Sequence, residues 1–232
     1  MDDAHHPPIV LAFAATLFFS AACDAPASVE AAGTAALRVL PAPFMHVPEP
    51  RRIAVADPFT RALVKAALER PQHSVRYDAA YVRIPYPMGD VPADTGVCAD
   101  EIIRVYRALG LDLQQLVHED MARAFSRYPK IWGLSRPDTN IDHRRVPNLE
   151  TFFRRHGQEL PLSGTGLDYQ PGDIVTWRLD GRLPHIGIVA DILSADGLRP
   201  LIVHNVGAGP QLEDVLFAYP LAGRFRYSGP ST

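Results

Sequence analysis

The order of apolar patterns along the chain is the feature that most limits its fold. Up to about residue 156, apolar residues recur at helical spacing, and capping residues mark where the segments begin. The predicted helices are 58–70, 98–109, 112–127 and 148–156. Beyond Tyr169 the pattern changes to short apolar runs separated by Gly, Asp and Pro, which is typical of strands. The runs are 173–178, 185–191, 200–206 and 215–227. Helices followed by strands, without alternation between the two, predict an α+β fold with a small antiparallel sheet.

The first 56 residues indicate a leader and a tether. An apolar stretch at 9–22 has the length of a signal-peptide core and is too short for a membrane span, so we expect 1–22 to direct export. Ser20-Ala21-Ala22 precede Cys23, as in lipoprotein signals whose cysteine becomes lipidated, although no Lys or Arg precedes the apolar stretch. A buried apolar helix is the alternative. Residues 23–56 are rich in Ala and Pro, which favours a flexible tether.

Composition sets the remaining limits. The 232 residues are 47% hydrophobic, which is enough for one domain, expected over 57–228. The formal charge of −3 gives no indication of nucleic-acid binding. We therefore expect an exported protein of the periplasm or cell envelope, attached to the membrane through its N-terminus if Cys23 carries lipid. The sequence does not determine the oligomeric state.

Cys98 is the first candidate for chemistry. The chain has two cysteines, so cleavage or lipidation at Cys23 would leave Cys98 as a free thiol. Cys98 opens a predicted helix, where unpaired N–H groups and the helix dipole favour a thiolate nucleophile. The alternatives are an inert, buried cysteine or a Cys23–Cys98 disulfide.

Two histidines on predicted strands could complete a catalytic set with this thiol. His185 begins one apolar run and could serve as general base. His204 ends the next run, and either it or Asn205 could orient the imidazole of the base. Nine histidines are present, so each could equally be a surface residue or a hydrogen-bonded core residue.

The same segments carry a resemblance to a known family. Tyr-Gln-Pro-Gly-Asp-Ile-Val at 169–175 resembles the Pro-Gly-Asp strand signature of the NlpC-type, papain-like cell-wall hydrolases. His-Ile-Gly-Ile at 185–188 and Ile-Val-His at 202–204 resemble the two histidine strands that follow it. The catalytic cysteine of those enzymes opens a helix upstream, as Cys98 does. Over about 57–228 the chain is also similar to an uncharacterised bacterial family, a domain of unknown function within that superfamily.

The resemblance implies a papain-like fold and a function. Cys98 would be the nucleophile, His185 the base and His204 the third polar residue, with no cofactor. Tyr86, in a Tyr-Pro-Met-Gly turn, would hydrogen-bond beside the thiol. The implied reaction is hydrolysis of an amide bond, in the peptide stem of peptidoglycan. A non-catalytic binding module on the same fold is one alternative, and a transpeptidase or deamidase with the same triad is another. The sequence departs from the family's Asp-Cys-Ser-Gly, since it has Val-Cys-Ala-Asp at 97–100.

An arginine-rich segment at about 111–168 lengthens the sequence separation between Cys98 and His185 beyond what is usual in that family. Its arginines could bind substrate carboxylates in bidentate fashion, although a solvated face is the commoner outcome. The candidate substrate-binding residues are Arg136, Asp142, His143, Arg144 and, further along the chain, Trp177. Asp138, Asp142 and His143 could also suggest a metal ion, but adjacent residues rarely face one ion, so no metal site is predicted.

Overall fold

The computed structural model describes residues 49–230. The predicted leader at 1–22, the lipidation site at Cys23 and the tether up to residue 48 lie outside these residues. The described part is a mixed helix and sheet structure, as the sequence predicts. Its helices are α1 (Pro58–Glu69), α2 (Cys98–Ala108), α3 (Leu113–Ala124) and α4 (Val146–His156). Its strands are β1 (Arg76–Tyr77), β2 (Thr95–Gly96), β3 (Gln158–Glu159), β4 (Ile174–Leu179), β5 (Leu183–Leu193), β6 (Pro200–Asn205), β7 (Pro210–Glu213) and β8 (Leu221–Arg226).

Local sequence signals account for the starts of these helices. Asp57 accepts a hydrogen bond from the backbone N–H of Thr60 at 2.7 Å, and Pro58 occupies the first turn of α1. Asp112 caps α3 in the same way by accepting from Gln114 N–H at 3.2 Å. Between α2 and α3, Gly110 adopts a φ of 81°, which glycine tolerates at a helix C-terminus.

Six strands form one antiparallel sheet in the order β3-β8-β4-β5-β6-β7, and β1 and β2 form a separate parallel pair. The prediction of one strand over 215–227 is wrong for the first half of that range. Residues 216–218 form a turn, and only Leu221–Arg226 is strand. The reason is tertiary: Leu216 is buried in the core, and its carbonyl accepts the indole N–H of Trp177 at 3.0 Å.

Each face of the large sheet has its own core. On one face the four helices pack against Ile186, Ile188 and Val203, and Cys98 belongs to this cluster. On the other face Trp177 and Leu216 form a smaller cluster with Val189 and other strand residues. The segment at 111–168 is not a separate lobe, because α3 and α4 contribute side chains such as Leu113, Met121 and Phe153 to the helical core. Alternating strand residues therefore serve two different cores.

Candidate functional site

Cys98 is the first residue of α2, so its side chain lies where the sequence places it. The carboxylate of Asp100 accepts a hydrogen bond from Val97 N–H at 2.7 Å and thereby closes the start of the helix. The pairing of β1 with β2 sets Tyr77 opposite Gly96, two residues before Cys98. A short parallel pair and a capped helix together fix the position of the thiol.

The ionisation of Cys98 differs from the sequence expectation. Burial raises the pKa of the thiol to about 12, and hydrogen bonds from the backbone N–H groups of Ile186 and Ala99 and from the Tyr77 hydroxyl offset only part of this effect. Only 4% of Cys98 is exposed. The thiol is therefore neutral near pH 7 in the free protein, because desolvation outweighs the favourable location at the helix start.

The two predicted histidines meet. His185 on β5 and His204 on β6 are both buried, and Nε2 of His185 lies 2.9 Å from Nδ1 of His204. Burial, together with the neighbouring His204, lowers the pKa of His185 to about 3. Burial also lowers the pKa of His204, although Glu213 opposes that shift. Both imidazoles are therefore neutral at physiological pH.

Backbone register connects the histidine pair with the thiol. Ile186, which shares a buried cluster with Cys98, directly follows His185 on β5. His204 pairs with Gly187 across the sheet, which leaves its ring beside that of His185 at a centroid distance of 5.1 Å. Asn205, the alternative orienting residue, instead accepts a hydrogen bond from Gly207 N–H at 3.1 Å. Of the two candidates, His204 is the one that contacts His185.

A third side chain extends this pair toward solvent. Nε2 of His204 lies 2.9 Å from Oε2 of Glu213 on β7. His204 is fully buried, whereas 43% of the Glu213 side chain is exposed. The result is a row of three side chains from neighbouring strands, His185, His204 and Glu213.

A pocket of about 390 Å³ opens onto the thiol. Most of its lining is apolar, and Cys98, Tyr77 and Trp132 contribute to its wall. Arg145 supplies a cation: its guanidinium lies 4.2 Å from the centre of the Trp132 ring and 3.1 Å from a carboxylate oxygen of Asp142. The pocket offers space for a small apolar group next to the sulfur, with a positive charge on its wall.

Arg144 also borders this pocket, but its hydrogen bonds are internal. Its Nε and Nη2 bind the two carboxylate oxygens of Asp100 at 2.8 and 3.0 Å, and both side chains are 2% exposed. Its remaining donors bind the backbone carbonyls of Ala80 and Asp78. Arg144 therefore joins the start of α2 to the loop after Tyr77, and its guanidinium is occupied by these contacts.

The structure does not bring the other predicted substrate-binding residues to the thiol. Trp177 is buried beneath the sheet, and Asp142 and His143 are buried in a short helical turn. The Asp142 carboxylate accepts a hydrogen bond from Asp138 N–H, a turn-capping role. Arg136 is exposed and borders a different pocket. The three buried side chains therefore have structural roles, and Arg136 lies away from the thiol. Tertiary packing, which the polarity of a residue does not reveal, decides which side chains face the pocket at Cys98.

Tyr86 is also placed elsewhere. Its ring packs edge-on against His118 at a centroid distance of 5.0 Å, and the tyrosine beside the thiol is Tyr77. Sequence reasoning missed both Tyr77 and Glu213. A hairpin signal existed for Glu213, since Gly207 and Gly209 separate two apolar runs and the resulting register sets Glu213 opposite Ile202. No comparable local signal marks Tyr77.

The described residues show neither a metal-binding cluster nor a membrane-spanning helix. Within 49–230, no group of three or more His, Cys, Asp or Glu side chains is arranged to hold a metal ion. None of the helices in that range combines the length and apolar character needed to span a bilayer.

Comparison with known proteins identifies the family. Residues 64–227 match the sequence model of a family described as "Domain of unknown function (DUF1287)". The chain is also 54% identical over 166 residues to the uncharacterized protein YijF of Escherichia coli (strain K12), a match covering 72% of this chain and 80% of that protein. Residues 64–227 include Cys98, His185, His204 and Glu213, and a domain family of unknown function over this range agrees with the coarser part of the expectation for about 57–228. The chain therefore belongs to the DUF1287 family.

Proposed function

We propose that this protein is an exported cysteine hydrolase with a papain-like, NlpC-type fold that cleaves an amide bond in the peptide stem of peptidoglycan. The observation that carries the proposal is a helix-opening thiol packed in one core with Ile186, the residue that follows His185 on β5, together with the contact between His185 and His204. A nucleophile, a base and an orienting group in this order are the parts that acyl transfer requires.

The proposed reaction has two stages. The Cys98 sulfur attacks the carbonyl carbon of the amide, and its proton passes to Nδ1 of His185. The carbon–nitrogen bond then breaks, the amine leaves with that proton, and a thioester remains on Cys98. Water, deprotonated by His185, attacks the thioester and releases the acid, which regenerates the thiol. The backbone N–H of Cys98 and the Tyr77 hydroxyl are the proposed donors to the oxyanion.

The neutral resting state shapes this mechanism. With a thiol pKa near 12 and an imidazole pKa near 3, a thiolate–imidazolium pair is not the resting form. Proton transfer from Cys98 to His185 must therefore accompany attack on the bound substrate. The pocket beside the thiol fits an amide substrate that carries a small apolar side chain and a carboxylate, which Arg145 would attract.

The same pKa values favour one alternative, a binding module that keeps the fold without turnover. A buried neutral thiol and a buried neutral imidazole are also what an inert core would contain. In that case the pocket at Cys98 would hold a wall peptide or a partner protein without cutting it. The two candidates differ in whether a covalent intermediate forms.

Digestion of purified peptidoglycan tests the proposal. We expect soluble fragments from the protein, read by mass spectrometry, and none from Cys98→Ala or His185→Ala. His73→Ala, which changes an exposed histidine, is the matched control and should cleave normally. Fragment masses would identify the bond. Identical profiles from the protein and Cys98→Ala would refute a hydrolase of peptidoglycan, and retained binding of peptidoglycan by both would then favour the binding module.

A further inference from the structure

The row of side chains behind the candidate base raises the question of which nitrogen of each imidazole carries the proton. Neutral imidazole has one N–H donor and one acceptor nitrogen, and a neighbouring hydrogen bond decides which is which. Here both histidines are buried and neutral, and each 2.9 Å contact must join one donor to one acceptor. Only two arrangements of protons satisfy both contacts. Either both histidines carry the proton on Nε2, or both carry it on Nδ1.

Glu213 selects between them. An ionised carboxylate only accepts hydrogen bonds, so Nε2 of His204 must carry a proton and donate it to Oε2 of Glu213. Nδ1 of His204 is then an acceptor, and Nε2 of His185 must donate to it. This leaves Nδ1 of His185 without a proton. That nitrogen receives no hydrogen bond from another residue within 49–230, so its lone pair is available as a base.

We infer that Glu213 is a positioning residue that fixes the tautomers of His204 and His185 and so makes Nδ1 of His185 the basic nitrogen. In the opposite arrangement, Nδ1 of His185 would carry the proton and could not accept one from Cys98. The negative charge of Glu213 disfavours that arrangement, because the carboxylate would then face the lone pair of His204 Nε2. The tautomers follow from the hydrogen-bond geometry, while their catalytic meaning rests on the proposed function.

The exposure of Glu213 makes the inference testable without damage to the core. With 43% of its side chain exposed, Glu213→Gln changes a charge at the edge of the fold and keeps the size of the side chain. The glutamine amide can either accept from His204 or donate to it, so it no longer enforces one arrangement. Glu213→Leu removes hydrogen bonding altogether. Glu159→Gln is the matched control, because Glu159 is 47% exposed, lies in the same sheet and binds Arg154 instead.

The first readout is the ¹⁵N–¹H spectrum of the imidazoles in protein labelled at histidine, measured at pH 7. We expect Nε2–H tautomers for both His185 and His204 in the protein and in Glu159→Gln. Glu213→Gln and Glu213→Leu should show a mixture with Nδ1–H forms at both positions. A predominant Nδ1–H form of His185 in the unmodified protein would overturn the inference, as would unchanged spectra in both Glu213 variants.

The second readout is cleavage of peptidoglycan, which separates this inference from the proposed function. We expect Glu213→Gln to lower kcat measurably, by less than the roughly 10²–10⁴-fold that a general base contributes, while KM is unchanged because the residue does not contact the substrate. Fully retained kcat in Glu213→Gln and Glu213→Leu would overturn the positioning role. If the unmodified protein cleaves nothing, the hydrolase proposal fails, and the imidazole spectra still decide the tautomer assignment.

Discussion

The buried ion pair between Asp100 and Arg144 should be far more important for stability than an exposed pair of the same geometry. Arg144 binds both oxygens of Asp100 at 2.8 and 3.0 Å, and both side chains are 2% exposed. Arg154 binds Glu159 at nearly the same distances, 2.9 and 3.0 Å, but these side chains are 48% and 47% exposed. The two pairs differ mainly in their access to water.

The magnitudes follow from that difference. Arg144→Met keeps the volume of the side chain and leaves the Asp100 carboxylate buried without its partner, which costs about 3–5 kcal/mol. The change also removes the contacts to the carbonyls of Ala80 and Asp78, but these residues are exposed and half-buried, respectively, so water can replace the lost donors at little further cost. Arg154→Met breaks a solvated pair, which is worth about 0.2–1 kcal/mol.

Urea unfolding of the two variants, followed by circular dichroism, gives both free energies. Asp100→Asn combined with Arg144→Met removes both charges, so its cost should be clearly smaller than the sum of the single changes. Equal small losses, below about 1 kcal/mol, in Arg144→Met and Arg154→Met would refute the reasoning that burial makes this pair important. A double variant whose cost equals that sum would show that the two groups do not act as a unit.

Three further changes have defined outcomes. Burial raises the pKa of Cys98 to about 12, so iodoacetamide should modify it at pH 7 much more slowly in the folded protein than in urea, and the rate should climb as the pH approaches that value. Because the unfolded thiol has a pKa of about 8.5, the contribution of Cys98 to stability should be complete below that pH and decline above it. Rapid modification of the folded protein at pH 7 would contradict this. Burial would raise the pKa of Asp120, but hydrogen bonds from Arg155 and other neighbours outweigh burial and lower it. Its stabilising effect is therefore present above about pH 4 and lost as the pH falls, so Asp120→Asn should cost about 1.5–3 kcal/mol at pH 7 and much less near pH 2 in urea titrations. A cost independent of pH would exclude this account. In Gly187→Ala, the new methyl would lie 2.7 Å from Cγ2 of Ile202 and 3.1 Å from Cβ of His204, so we expect a loss of about 1–3 kcal/mol and displaced His204 resonances. A stable variant with unchanged resonances would show that the sheet adapts freely there.

The helices and most strands could be predicted because their signals are local. Asp57-Pro58 starts a helix through a cap and a favourable first-turn residue, and the spacing of apolar residues decides the rest. The start of α2 lacks both features, since Val97 has no polar side chain and only Asp100 accepts from the Val97 N–H, so its prediction depended on the spacing of apolar residues. The half-wrong prediction at 215–227 shows the limit, because Leu216 leaves the strand pattern to fill a core on the far side of the sheet. From sequence alone, apolar residues that fill a core from a turn cannot be distinguished from apolar residues of a strand.

The sequence by itself determined which residue types could form a site and roughly where each lies on its element. Cys98 at a helix start and His185 and His204 on adjacent strands follow from short patterns, and the structure brings the two histidines into contact. Tertiary structure alone decided that Tyr77 rather than Tyr86 lies beside the thiol and that Glu213 completes the row.

The ionisation of the thiol illustrates the physical reason. The helix start, which is local, favours a thiolate, whereas burial favours the neutral form and prevails. The groups that bury Cys98 and bond to it include Ile186 and Tyr77, which lie on other elements of the chain. Hydrogen-bond partners and solvent exclusion depend on segments that meet only in the folded protein, so no local pattern encodes them.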